Sequence, residues 1–322
     1  MMKRATVIWL ITASALVLIG CVIFGGVMSL LKWDFTKLST TKYESNRYEI
    51  NDVYQNISIV TDTADVEIVA VEGIQSAVDC YERVNGKHSV SVKDGTLVIE
   101  FSDTRKWYDY IGIHFGSPKV TVTVPKGEYV GLSVKVDTGD VKIPEGIGLE
   151  TIDISGTTGD VRCCAAVSKR VSIHLSTGDL FVGGAEVGEL DLKTSTGDIT
   201  VASVTCGGAI TTKVSTGKMK LSDVSCKMLS TEGSTGDVVL TNVMVSEGLS
   251  IRRSTGDVKL ERCDAAEIFI KTSTGDIKGS LLSDKVFATQ TNTGKIDVPK
   301  TAAGGRCEIS TDTGDIKISV EK

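Results

Sequence analysis

Proline is almost missing from this chain, with four residues in 322, and aromatic side chains make up only 5% of it. Proline is the residue that removes a ladder donor, so a chain nearly without it can hold long unbroken backbone ladders. Sparse aromatics, with no tryptophan after Trp107, argue against a surface that grips sugars or stacks bases. Histidine occurs only at His88, His114 and His174, and the repeat described below puts none of them beside a nucleophile. There are eight cysteines but no C-x-x-C spacing, so no local zinc motif is present. A basic excess is missing as well. Lys and Arg total 35 against 41 Asp and Glu, a net charge of −6, and the chain beyond Lys3 and Arg4 is more acidic still. Nucleic acid is excluded as a partner on that ground.

Charge itself is absent from Ala5 to Leu31, a run preceded by Lys3 and Arg4 and followed by Lys32, Trp33 and Asp34. About 20 apolar residues cross a bilayer, so residues 1–31 are expected to form a transmembrane anchor that meets lipid through residues 5–31. The apolar core of a cleavable secretory signal is shorter, about 7 to 15 residues. Leu18-Ile19-Gly20-Cys21 resembles the lipobox of bacterial lipoproteins, yet Val22 to Leu31 stays apolar where such a protein turns polar. Positive charge ahead of the span favours an N-terminus inside and the remainder outside the cytoplasm, with Lys32 and Lys37 opposing it. Residues 32–47 read as a polar stalk.

What the rest of the chain has in abundance is one turn. Thr-Gly-Asp or Thr-Gly-Lys recurs ten times, with its glycine at Gly139, Gly159, Gly178, Gly197, Gly217, Gly236, Gly256, Gly275, Gly294 and Gly314, at intervals of 19 or 20 residues. A period near 20 with one turn per copy is the signature of stacked coils that bury a continuous core. Before each glycine, positions −5 and −3 are apolar or Thr, as in Ile173 and Leu175, while the position between them is polar, as in His174, Lys193 or Lys213. After it, +2 and +4 are apolar, as in Leu180 and Val182. This is the period-2 pattern of half-buried strands meeting at a corner. Leu190, Leu229 and Ile268 suggest a third, shorter strand. The expected fold is all-β, a single-chain β-solenoid or β-helix of right-handed form with about 19–20 residues per rung, behind the transmembrane helix.

Residues 136–322 are expected to form the regular solenoid, and residues 48–135 an irregular first set of rungs. Asn56 to Val71 alternates on both sides of a degenerate turn at Thr63-Ala64-Asp65-Val66, and strands are also expected over His88–Val92, Thr96–Phe101, Lys119–Val124 and Val130–Val136. Stacking brings the turn acids Asp140, Asp160, Asp179 and Asp198 into a column, beside a second column at +3 that holds Lys142, Arg162, Lys220, Lys259, Lys278 and Lys317. The two balance each other, which speaks against calcium, and no cofactor or metal is expected. Cys163, Cys206, Cys226 and Cys263 fall on core positions and are expected as small buried hydrophobes. Cys206 and Cys226 would stack on adjacent rungs about 4.8 Å apart, the one pair close enough for a disulfide.

Three features break the series. The segment 103–117 gathers Trp107, Tyr108, Tyr110, His114 and Phe115, and aromatics of this kind, with Arg105, are what partner-contact sites use. Arg253 takes an inward position and marks a locally opened rung. The chain stops at Glu321-Lys322 directly after a strand, leaving an open last rung with the potential for self-association.

The opening strand with Asp65-Val-Glu-Ile68, the Asp94-Gly-Thr-Leu-Val-Ile99 segment, the Val122-Thr-Val-Pro125 strand end and the serial Ser-Thr-Gly-Asp turns together resemble the bacterial putative-adhesin family, which includes LiaG-like and YvlB-like envelope proteins. The likeness covers about residues 48–320. It implies a β-solenoid with an envelope-associated, adhesive or stress-linked role and brings no active-site residues with it. The expected function is a non-catalytic binding, adhesin-like or scaffold protein, tethered to the bacterial membrane on its outer side, with an unknown envelope protein or polysaccharide as partner. The alternatives are a self-assembling structural element, an accessory of an envelope-stress signalling system and, last, a polysaccharide-active envelope enzyme.

Overall fold

The computed structural model describes residues 4–38, 42–103 and 116–321. Helix α1, Arg4–Leu30, carries the uncharged run; it is long and apolar enough to cross a membrane, and its most apolar stretch is not buried against the rest of the chain. Everything after the short 3-10 turn Phe35–Leu38 that is described folds as β-strand joined by tight corners.

The regular coils follow the expected pattern. Strand Leu180–Thr196 buries Leu180, Val182, Val187, Leu190 and Leu192 and exposes Lys193 between Leu192 and Thr194. It pairs in parallel with the next coil, Leu180 against Ile199 and Leu192 against Thr212. Register holds from coil to coil because a one-residue slip would turn the whole apolar set outward. An inward Thr such as Thr194 is buried and satisfied: Thr194 Oγ1 donates to Gly178 O or Thr196 O, each at 3.2 Å.

The Thr-Gly-Asp corner is built from three lateral hydrogen bonds. Gly178 N–H donates to Thr196 O of the next coil at 2.9 Å, and Leu180 N–H donates to Asp198 O at 2.8 Å. The third bond runs the opposite way, from Asp198 N–H to the Asp179 side-chain Oδ1 at 2.7 Å. The same carboxylate bond recurs through Asp65, Asp140, Asp160, Asp179 and Asp198, and again through Asp237, Asp257, Asp276 and Asp315. Each glycine has φ between +123° and +155°. A Cβ on Gly217 would lie 2.0 Å from Gly197 O, so both backbone conformation and space demand glycine.

A second corner, without a sequence signature of its own, lies six residues after the turn glycine. Gly184, Ser203, Asp223, Asn242 and Arg262 stack there in the left-handed region, with φ of 52–65°. Ser, Asp and Asn tolerate it through short polar side chains, and Asn242 Nδ2 donates to Asp223 Oδ1 at 2.9 Å.

The ends differ from the expectation. The stretch read as stalk already contains strand: β1 is Tyr43–Ile50. It is followed by β2 (Asn56–Thr61), β3 (Asp65–Val71), β4 (Ser76–Arg83), β5 (Gly86–Lys93), β6 (Thr96–Asp103), β7 (Lys119–Pro125), β8 (Gly127–Thr138) and β9 (Val141–Ile143). The first coil in sequence is second in space, because β2 lies between β6 and β8 and β3 pairs with both β7 and β9. The outer side of β7 is then taken by β4 and that of β4 by β1, both antiparallel, while β5 closes onto β6 as a hairpin. The irregular rungs are therefore partly an antiparallel cap.

The other end repeats the device. The last strands in sequence, Gly305–Thr313 and Ile316–Val320, insert between the Gly275 coil and the Gly294 coil: Ile270 and Thr289 both pair with Ile309, and Ile277 and Ile296 both pair with Ile316. The C-terminal rung is thus enclosed rather than open. The spatially last coil is Lys285–Thr293 with Ile296–Asp297, and it alone ends the ladder with Lys295, whose N–H donates to Asp315. Among the described residues no further coil stacks on it, so it requires no acceptor at that position.

These contacts set an order of effects on urea unfolding. Asp179→Ala, which removes the acceptor of Asp198 N–H, should cost about 1 kcal/mol. Lys218→Ala, at the ladder's one interior gap, should change stability by less than about 0.5 kcal/mol. Gly217→Ala should cost about 3 kcal/mol or more through strain and collision. Equal effects of the first two substitutions would refute the carboxylate ladder.

Candidate functional site

Two places stand apart from ordinary coil packing. The first lies inside the N-terminal cap. Cys80 and Glu82 are alternate residues of β4 and so share its inner face, and β5 brings His88 against them; all three are at most 3% exposed. Glu82 Oε2 lies 2.7 Å from His88 Nδ1 and also accepts the His88 backbone N–H at 2.7 Å. Glu82 Oε1 accepts from Asn46 Nδ2 of β1 at 2.8 Å. On the far side of the ring, His88 Nε2 and Thr61 Oγ1 of β2 are 2.9 Å apart, and Phe101 packs tilted on the imidazole at 5.3 Å.

Thr61, His88 and Glu82 stand in the hydrogen-bond order of a nucleophile, a base and an orienting acid. Their surroundings oppose that use. Thr61 is 4% exposed, and the cavity beside the network, lined by Thr61, Glu82, Arg83, His88 and Phe101, holds about 10 Å³, room for one water and no substrate. As it stands the network is a polar cross-link joining β1, β2, β4 and β5. Sequence reasoning passed over it because the turn repeat does not extend to β4 or β5; the available signal was Cys-x-Glu on an alternating strand with a histidine six residues on.

The second place is an exposed sheet face. Four residues before each corner glycine, Lys135, Ser155, His174, Lys193, Lys213, Glu232, Arg252 and Lys271 stand in register on successive coils. Ser215, Ser234 and Ser254 run alongside, and a shallow groove of about 400 Å³ opens among Lys213, Ser215, Glu232, Ser234, Arg252 and Lys271. Lys213 faces Glu232 at 3.7 Å, and His174 and Arg170 both approach Asp191, so acids offset part of the column.

Arg253 lies beneath this face. It points inward as expected and is 4% exposed; it keeps its pairing with Gly233 on one side, while on the other no pairing with Thr272 joins the Arg252–Lys271 and Thr255–Thr274 pairs. Space comes from Gly233, where a Cβ would lie 1.9 Å from Arg253 Nη1. Nη1 donates to Val214 O at 3.4 Å, while Nε and Nη2 are buried without a hydrogen-bond partner, and burial lowers the guanidinium pKa.

The cysteines on core positions are buried, and Cys206 and Cys226 are both free thiols. They follow directly on the paired residues Thr205 and Ser225, but in-register stacking points the two side chains the same way rather than at each other, and Cys206 Sγ turns to Gly188 O at 3.4 Å. The bridge considered between them is not formed. The proposed partner-contact residues Trp107, Tyr108, Tyr110 and Phe115 lie outside the described residues.

The geometry defines a class: a β-solenoid with carboxylate-laddered corners, behind an apolar N-terminal helix. Residues 54–213 and 208–322 match the model of the Toastrack DUF4097 family, and the chain belongs to that family. Among curated proteins, none matches the chain. Solved structures that it resembles include a putative adhesin of Parabacteroides distasonis ATCC 8503, at 12% identity over 87% of this chain and 98% of that one, with a TM-score of 0.43. Another is a putative adhesin of Bacteroides fragilis NCTC 9343, at 16% identity over 86% and 97%, with a TM-score of 0.40. A third is a putative lipid binding protein, also from Parabacteroides distasonis ATCC 8503, at 14% identity over 87% and 98%, with a TM-score of 0.35.

Burial pushes the thiols of Cys80, Cys163, Cys226 and Cys307 up to about 12. A thiol whose pKa is raised on folding holds its proton more tightly in the native state. Its contribution to stability is therefore complete below the unfolded value near 9 and is lost as pH rises toward 12. The urea midpoint should fall across that window. At pH 8 a maleimide should label half-buried Cys164 well ahead of these four, as read by peptide mass spectrometry; equal labelling of all five would contradict the packing described.

Proposed function

We propose that this protein is a non-catalytic binding or scaffold module of the bacterial envelope, held by α1 in the membrane with its solenoid on the outer side. The observation that carries this reading is the long, flat, polar face of the coils, repeated without interruption and joined to an apolar helix. Such a face suits an extended partner contacted many times weakly rather than a small molecule enclosed once. The column of Lys135, His174, Lys193, Lys213, Arg252 and Lys271 gives it a basic line on an otherwise acidic protein, which favours an anionic envelope component. The described cavities support a binding role over an enzymatic one, since among the described residues the histidine-carboxylate pair with a hydroxyl in hydrogen-bond reach, Glu82–His88 with Thr61, lies shut in the cap.

Self-assembly through the coil ends is the weaker alternative. The terminal coil presents Gln290, Asn292 and Lys295 and is followed by Pro299 and Lys300, features that blunt strand-to-strand addition.

Protease added to intact cells should remove the solenoid and leave a membrane-bound fragment; protection until lysis would overturn the outward orientation. The full chain in detergent should co-sediment with isolated cell walls, and the combined K193E, K213E, R252E and K271E substitutions should lower the bound fraction at least about tenfold at low salt. Unchanged binding would remove the basic face from the proposal.

A further inference from the structure

We propose that Cys80, Glu82 and His88 form a site for a divalent transition metal, with zinc as the best-suited ion, inside the N-terminal cap. Among the described residues these three bring one sulfur, one oxygen and one nitrogen within 4.8 Å of one another. Zinc takes thiolate, imidazole and carboxylate together at 2.0–2.3 Å, and a set of mixed softness of this kind disfavours calcium and magnesium, which prefer all-oxygen cages.

The argument rests on the outer partners as much as on the three donors. A ligating histidine nearly always donates its second ring N–H to a fixed acceptor, and a ligating carboxylate is itself held by a hydrogen bond. Both supports are in place. With Nδ1 of His88 on the metal, Nε2 faces Thr61 Oγ1 at 2.9 Å. With Oε2 of Glu82 on the metal, Oε1 keeps the Asn46 amide at 2.8 Å. A metal would take the place of the proton between Nδ1 and Oε2, which are now 2.7 Å apart, and this pair must open by about 0.5 Å to match tetrahedral donor spacing. The Nδ1 proton moves to Nε2, and the Cys80 thiol releases its proton to solvent, so binding liberates one proton for each metal.

The fourth position has a candidate occupant. The water-sized cavity beside Glu82 and His88 is also lined by Arg83, whose Nε is buried without a hydrogen-bond partner. A water in that cavity would lie beside two of the three donors, Glu82 and His88, and Arg83 Nε–H could donate to it. The strands bound in this way, β1 through Asn46, β2 through Thr61, β4 and β5, are the ones that close the first coil, so the metal would act as a staple at the end of the solenoid next to the anchor.

The test uses the full chain in detergent micelles, reduced, stripped with EDTA and then dialysed against zinc or cobalt. About one metal per chain should be retained, cobalt should give a near-ultraviolet thiolate charge-transfer band, and zinc should raise the melting temperature. Cys80→Ser should abolish the band, while Cys263→Ser, at a buried thiol elsewhere, should leave it intact. Thr61→Val should weaken zinc binding about 10- to 100-fold without touching a ligand. Failure of the wild-type chain to retain metal or to gain thermal stability would overturn the proposal even if the variants misfold, and so would a charge-transfer band that survives Cys80→Ser.

Discussion

At each corner from Gly159 onward a glycine Cα sits against the carbonyl oxygen of the glycine stacked before it, so closely that a methyl group there would be about 2 Å from that oxygen, and Gly139 sits in the same way against Ala64 O. Strand spacing of about 4.8 Å is thereby carried around a bend where side chains cannot mediate it. From this contact the remaining geometry follows. The peptide after the glycine is turned so that one N–H faces back along the axis, away from the ladder, and only a side chain of the previous coil can reach it. Aspartate supplies that acceptor through Oδ1. Its negative charge is a by-product of the geometry, offset at Asp276 by the basic residue two positions on, Lys278, whose Nζ meets it at 2.6 Å.

A stack of identical units would leave edges at both ends, and edges recruit other chains. Here the first and the last coil in sequence are both folded inward by one coil. At one end the first coil is covered by the second and then by the antiparallel strands β4 and β1. At the other the strands Gly305–Thr313 and Ile316–Val320 are paired on both sides. Opening the last-formed coil requires the coil outside it to move too, which resists the fraying expected of a terminal repeat.

The regular body was legible in the sequence because its period is enforced by a glycine that nothing can replace and by alternation on either side of it. The second corner was not, because Gly184, Ser203, Asp223, Asn242 and Arg262 meet the same backbone requirement with five different side chains. The inserted coils were also invisible: Ile309 suits either neighbour, and nothing local says that it pairs with Ile270 and Thr289 at once. Strands β1 and β4 were missed as strands for a related reason, since β1 is polar, and its alternation shows only once β4 lies beside it. Arg253 was located correctly as an inward residue, but its accommodation depends on Gly233, a coil away.

The same contrast bears on where chemistry can reside in such a protein. In the regular coils each inward position is surrounded by equivalents of itself, so a hydroxyl placed there meets backbone carbonyls, as Thr194 does, and a charged group such as Arg253 remains only partly satisfied. Outward positions form columns whose charges repeat at strand spacing, which favours broad, low-specificity contact over a defined pocket. Convergent geometry requires strands that approach from different directions. Only the cap provides that, where antiparallel β4 and β5 meet parallel β2 and bring sulfur, oxygen and nitrogen donors from unlike positions to one point. The break in periodicity that ends the stack is thus also the place where a discrete site can be assembled.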